Sequence, residues 1–331
     1  MKKILLRGLI SFAFIALLFY LMREDIPKVC HTLKNMDRLL VGASVLVFLS
    51  TVWIMACRLQ LIFEVKELPL SLMEAVQLTM VGFFFNNFLP TSVGGDIVKA
   101  LCAARVTKNT VKSVTGVLMD RIFGLFTFIV IPSLTLLFFI KKIDNPLVPV
   151  MVYSLLVLSA FCFFLIFSRV VARRFRFVET FLSRFGIGKK AREIYNNLHE
   201  FKDHKRAVFG ALALSVAGQS VNIFVLYAMA LALGSHAPLI YFFLLVPVVH
   251  LVSMLPSLNG LGIREGAYIY FLGPYIGKEY AAALGILWLG LLFLLSIIGG
   301  IIYFVRQDYH IRFKEAAVPV TPDSILGSEG S

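Results

Sequence analysis

Charge is what this chain has least of. Asp, Glu, Lys and Arg make up 15% of its 331 residues and 59% are apolar, where a soluble domain carries about 25% charged and roughly 45–50% apolar residues. One aqueous core cannot hide that excess, so a soluble globule is excluded and an integral membrane protein is expected. Cysteine is almost as scarce. Cys30, Cys57, Cys102 and Cys162 lie far apart and form no CxxC, which points to small buried side chains rather than a disulfide framework or a zinc site. The six histidines contain no HExxH, and there is no GxSxG, no Walker loop and no acidic pair for a metal-bound sugar nucleotide. No catalytic residue, metal or cofactor is therefore expected.

Acidic residues are the scarcer charge, 19 against 32 Lys and Arg, for a net charge of +13. No zinc-finger, helix-turn-helix or RNA-binding signature sits among the apolar runs, which sets nucleic acid aside. The basic excess is read instead as a cytoplasmic face beside anionic lipid.

Continuous apolar segments fall at about 4–22, 39–57, 113–139, 147–168, 207–233 and 280–304. Each is near the roughly 20 residues that cross a hydrocarbon core of about 30 Å. The first has the positive flank of a signal peptide without a small-residue cleavage site, and is expected to be a retained signal anchor. Two further stretches, 71–105 and 239–273, are apolar arms broken by Leu-Pro, a hydroxyl residue and glycines. Their arms are too short to cross, so each is expected to be a re-entrant helical hairpin. The expected fold is an all-α polytopic membrane protein with about six full spans and two hairpins.

Segment 169–206 carries eleven Lys or Arg against four acidic residues, so it is expected in the cytoplasm together with both termini of a bacterial inner-membrane protein. The expected organisation is a signal anchor and outer loop (1–38), a first helix–hairpin–helix unit (39–139), a connecting helix and basic amphipathic segment (140–206), a second unit (207–305) and a disordered cytoplasmic tail (306–331). His199 and His204 lie in the basic segment and are expected to be solvated.

The two units look like copies. Leu89-Pro90-Thr91-Ser92 matches Leu255-Pro256-Ser257, and an offset of 169 places Asp96 on Glu265 and Gly116 on Gly285. In the expected orientation the copies have opposite topology, the layout of secondary transporters whose substrate site lies between two broken helices.

Charges inside apolar context cost roughly 2.5–3.5 kcal/mol each on insertion scales, so they pair or face a wet cavity. Asp96, Lys99, Asp120, Arg121, Arg264 and Glu265 are the candidates here. Asp96 and Lys99 have the spacing of a local helical pair. Gly116, Asp120 and Gly124 recur every four residues, a stripe suited to packing against a hairpin. Half-helices starting after Pro90 and Pro256, with Thr91, Ser92 and Ser257 as caps and Gly94 and Gly95 allowing close approach, suit an anion. Asn86, Asn87 and Asn259 flank the breaks. Asn86 and Asn87 either donate to headgroup oxygens or cap broken backbone. The charges either form ion pairs that lock helices together or line a site. Arg58 reads as a snorkelling anchor at the inner interface, and His250 as a packed neutral histidine.

The runs NNFLPTSVGGDIVKA, GVLMDRIFGL and LPSLNGLGIREGAYIYFL resemble the lysylphosphatidylglycerol synthase transmembrane-domain family, which includes the flippase half of bacterial multiple peptide resistance proteins. The resemblance covers about residues 4–305 and implies a polytopic protein that handles lipid headgroups. The six charged candidates fall inside those runs. Members that are synthases carry a soluble acyltransferase-like domain after the membrane part, and here only about 25 residues follow the last expected span. The expected function is translocation of a phosphate-bearing phospholipid or polyprenyl-phosphate lipid across the inner membrane. The alternatives are a membrane-embedded lipid-modifying transferase and a transporter of a small soluble anion. The expected partners are a lipid with an anionic headgroup and the anionic lipids of the cytoplasmic face.

Overall fold

The structure is a computed structural model, and it describes residues 23, 25–89, 94–139, 147–167, 188–255 and 260–309. The expected anchor at 4–22, residues 169–187 of the basic segment and the tail beyond 309 lie outside the described residues. All regular structure among the described residues is helical. In chain order the helices are α1 (Ile26–Lys34), α2 (Arg38–Val65), α3 (Leu72–Phe88), α4 (Gly94–Thr107), α5 (Thr110–Phe139), α6 (Leu147–Phe167), α7 (Gly188–His199), α8 (Lys205–Ala232), α9 (Leu239–Val252), α10 (Ile263–Ala267), α11 (Gly273–Ile276) and α12 (Lys278–Val305). A π-helical turn, Tyr268–Leu272, joins α10 to α11.

Four described helices, α2, α5, α8 and α12, are long and apolar enough to cross a membrane. They coincide with four of the expected spans, and α6 covers a fifth over 21 residues. Their ends follow local chemistry. Asp37 accepts from the backbone N–H groups of Leu39 and Leu40 at 2.9 and 3.0 Å to start α2. Ser71 and Glu74 form a reciprocal capping box at the start of α3. Inside α5 the hydroxyls of Thr127, Ser133 and Thr135 donate to carbonyls three or four residues back, which satisfies these three donors without water. The outward faces are apolar: Phe138 and Phe209 are 80% and 76% exposed, a surface that only a bilayer covers comfortably. Together with this surface, the long apolar helices make the chain a multi-pass membrane protein.

The helices pack in a recurring pattern. Within the first unit α2 touches α3 and α5, and α4 touches α3 and α5; within the second α8 touches α9 and α12, and α10 touches α9 and α12. Between the units α2 lies against α8, α3 against α12 and α9 against α5. The α3–α12 contact is close because Gly299 has no side chain: a Cβ there would run into the backbone carbonyl of Met80, and one on Gly300 would come within 2.9 Å of the Phe84 ring.

Two contacts fasten the end from which α4 leaves. Lys66, just after α2, is buried and donates to Glu200 at 2.6 Å, to the Asn197 side chain at 3.2 Å and to the Asn197 carbonyl, which holds α7 and the turn Glu200–Asp203 in place. Burial pulls the Lys66 ammonium below the usual lysine range, against the opposing effect of Glu200. Past α12 the short turn Gln307–Tyr309 brings the buried Tyr309 under α3 and α4, where its hydroxyl donates to Gln77 at 2.9 Å and its carbonyl accepts from the Cys102 thiol at 3.3 Å. The expected burial of cysteine holds for Cys102, whereas Cys57 is half-buried and Cys30 exposed on the amphipathic α1. Cys162 has a side chain outside the described set.

Candidate functional site

The sharp feature of α4 is its start. Gly95 lies so close to α3 that a Cβ would strike the Gly82 carbonyl and the Asn86 amide. Its N–H donates to Asn86 Oδ1 at 2.9 Å. Of the two roles open to Asn86, the geometry realises capping, which satisfies one of the orphan donors of the helix end. Asn87 points elsewhere, donating to the Leu292 carbonyl of α12 at 3.1 Å.

In the first turn of α4 the ion pairs begin, and they are not the ones that spacing alone predicts. Asp96 and Lys99 do not pair with each other. Asp96 binds Arg121 of α5, and the buried Lys99 reaches Asp120 of α5 at 3.0 Å. The opposite oxygen of Asp120 accepts from Arg58 Nε at 2.6 Å, and Arg58 Nη1 donates to Ser215 Oγ of α8 at 2.9 Å. Asp120 is thus clamped between two cations from two helices. Cross-helix pairing wins because each partner sits on a neighbouring helix facing the same interior, where a charge left alone is expensive.

Arg58 corrects the sequence reading. The apolar run seems to end at residue 57, which places Arg58 at the interface, but α2 continues to Val65 and Arg58 is only 6% exposed. The glycine stripe of α5 is corrected as well: Gly116 faces Phe63 and Gly124 faces the Arg58 guanidinium, both on α2. The stripe therefore seats α2, and only Asp120 reaches across to α4.

On the second unit Arg264 opens α10, buried, and pairs with its neighbour Glu265 at 3.0 Å. Glu265 also accepts from the Gly262 N–H at 2.7 Å, and Gly262 turns the chain with φ of 80°, a conformation that glycine adopts freely.

These groups surround one cavity of about 290 Å³. Four cations line it, Arg58, Lys99, Arg121 and Arg264, against two carboxylates, Asp96 and Asp120. Of the sequence candidates it gathers Asn86, Asp96, Lys99, Asp120, Arg121 and Arg264. Asn87, Gly94, Gly95 and Glu265 stand behind the wall as structural supports, and Ser92 and Asn259 lie outside the described residues.

Several lining groups escaped the sequence reading. Thr51 of α2 and Asn222 of α8 line the cavity, and Thr51 Oγ1 and Asn222 Oδ1 are buried without a hydrogen-bond partner, as is Gln219 Nε2 one turn before Asn222. The signal was present: Ser215, Gln219 and Asn222 follow helical spacing along an apolar segment. His250 also lines the cavity, its ring stacked on Trp288 with centroids 5.6 Å apart and edge-on to Phe128 at 5.6 Å. It is packed, as expected, but its packing forms a wall of the site. Among the described residues no cluster of His, Cys, Asp and Glu has the makings of a metal site.

No curated protein and no solved structure matches the chain. The model of the family described as the lysylphosphatidylglycerol synthase TM region matches residues 4–300. That stretch contains every side chain that lines the cavity, and the chain belongs to the lysylphosphatidylglycerol synthase TM region family.

Proposed function

We propose that this protein carries a phosphate-bearing lipid between the leaflets of a bacterial inner membrane. The observation that carries the reading is the set of four cations around the cavity, which Asp96, Asp120 and, behind Arg264, Glu265 leave with one positive charge in excess, in the interior of an apolar bundle. Buried positive charge of that kind persists where an anion visits. The cavity volume, near 290 Å³, is at the small end for ligand sites and suits a headgroup rather than a whole lipid. The acyl chains would stay in the bilayer.

The same reading takes 71–105 and 239–273 as re-entrant hairpins of an inverted repeat. Two facts support it. Helices α3, α4 and α9 have 17, 14 and 14 residues, short of the roughly 20 that a crossing takes. The contacts of α2 through α5 recur among α8, α9, α10 and α12. The basic segment before α8 supports a cytoplasmic location for that loop and both termini.

The test is leaflet-to-leaflet movement of a tail-labelled anionic phospholipid in proteoliposomes, read by quenching from outside. Arg121→Ala and Arg264→Ala, checked for insertion and monodispersity, are expected to fall to the protein-free rate. Wild-type rates in both overturn the reading. Mass spectrometry of lipid recovered after the assay separates transport from chemistry, since a transferase returns an altered headgroup.

A further inference from the structure

The cavity has two chemically different ends. Along α2, Arg58 and Thr51 are separated by two helical turns, about 10 Å at 1.5 Å per residue, and Ser215 and Asn222 are separated equally along α8. Arg58 meets Ser215 at 2.9 Å. Farther along, Gly218 of α8 leaves room for Ile54 and Thr51 of α2, whose methyl carbons come within 3.4 and 3.9 Å of where its Cβ would stand. The two helices therefore run antiparallel here, with Arg58 and Ser215 at one end and Thr51 and Asn222 at the other. The first end is charged, with Asp120 and Lys99 close by. The second holds uncharged polar groups that lack partners, the Thr51 hydroxyl, 2% exposed, and the Asn222 carbonyl oxygen, with the unpartnered Gln219 amide one turn away behind the lining.

A phosphate diester only accepts: at the second end it pairs with the Thr51 hydroxyl but leaves the Asn222 oxygen bare, whereas the charged first end matches it fully. The Asn222 oxygen is an acceptor and needs a donor, which a phosphate diester lacks and a hydroxyl has. An ammonium group also donates, but the two lining carboxylates are already in ion pairs, Asp96 with Arg121 and Asp120 with Arg58 and Lys99. An aminoacylated or ethanolamine headgroup would bring another positive charge beside four cations whose three carboxylates, Asp96, Asp120 and Glu265, are already engaged. A hydroxyl-bearing, uncharged group satisfies Thr51 and Asn222, the two unpartnered groups that line the cavity, without that conflict.

We infer that the recess where α2 crosses α8 binds the uncharged hydroxyl-bearing part of the headgroup, so that the preferred cargo is a sugar- or polyol-phosphate lipid; this rests on the phosphate-lipid reading above. Removing the matching hydroxyls leaves buried polar groups unpaired on both sides, so discrimination of about tenfold between headgroups is expected.

The experiment compares tail-labelled phosphatidylinositol, phosphatidic acid and phosphatidylethanolamine in proteoliposomes, alongside thermal stabilisation of the detergent-solubilised protein by short-chain versions of each. Free inositol phosphate and inorganic phosphate are run in the thermal assay. Wild-type protein is expected to move and bind the inositol lipid about tenfold better than the other two. In Thr51→Val and Asn222→Leu that ratio collapses toward unity, and Thr51→Ser, which keeps the hydroxyl, restores it. Stabilisation by free inositol phosphate as strong as by the lipid assigns the site to a soluble polyol phosphate and overturns the lipid assignment. Equal binding of the inositol lipid and phosphatidic acid by wild type, or an unchanged ratio in both variants, overturns the inference while leaving the phosphate reading standing. Preferential binding without movement between leaflets sinks the transport reading and retains the recess.

Discussion

Arg58 and Asp120, 62 positions apart in the chain, meet at 2.6 Å inside the bundle, and Lys99 approaches the other carboxylate oxygen of Asp120 at 3.0 Å. One carboxylate is thus shared by cations from two different helices. Its loss and the loss of one of its partners have unequal consequences.

Asp120→Asn leaves Arg58 and Lys99 facing each other with no counter-charge, and is expected to destabilise the protein by about 3–5 kcal/mol. Lys99→Met leaves the Arg58–Asp120 pair intact and should cost only about 1–2 kcal/mol. Thermal unfolding in detergent, with both variants in parallel, checks the order; equal costs would mean that Asp120 serves only one partner.

Gly95→Ala forces α4 away from the Gly82 carbonyl and disturbs the Asn86 cap, for an expected loss of about 1–3 kcal/mol. Gly42 of α2 makes a direct control. A Cβ there has nothing within 4 Å, so Gly42→Ala is expected to be neutral or to gain up to about 1 kcal/mol from helix propensity. Melting curves that shift the same way for both substitutions would contradict the close α3–α4 approach.

Cys30 is exposed and Cys102 is buried. In a Cys162→Ser background, a membrane-impermeant maleimide added to intact cells is expected to modify Cys30 and spare Cys102 until the protein is unfolded. Labelling of Cys30 only after the cells are opened would place α1 on the cytoplasmic side and reverse the proposed orientation.

Much of the architecture was legible because hydrophobic length is a strong signal in lipid. The segments expected at 113–139 and 280–304 appear as α5 and α12, within three residues at each end. The site was legible in part. A charge inside an apolar run stands out, so Asp96, Lys99, Asp120, Arg121 and Arg264 were found from sequence and all line the cavity. Who pairs with whom was not legible. Periodicity along one helix suggests Asp96 with Lys99, but pairing is settled by which helices adjoin, and that is a property of the packed bundle. Arg58 escaped because a helix end was placed eight residues early, and Thr51 and Asn222 because single neutral polar residues cost little in a membrane helix and give a weak signal.

The packing of α12 changes how any movement of this protein must be divided. Its Gly299 touches the backbone of α3 at Met80, and the turn that follows it is bolted by Tyr309 to Gln77 of α3 and Cys102 of α4. Helix α12 is therefore tied to α3 and α4 at two heights, while α9 rests on α5. The seam along which the molecule opens cannot follow the boundary between the two sequence halves. A body that swings with α3 and α4 will carry α12 with it.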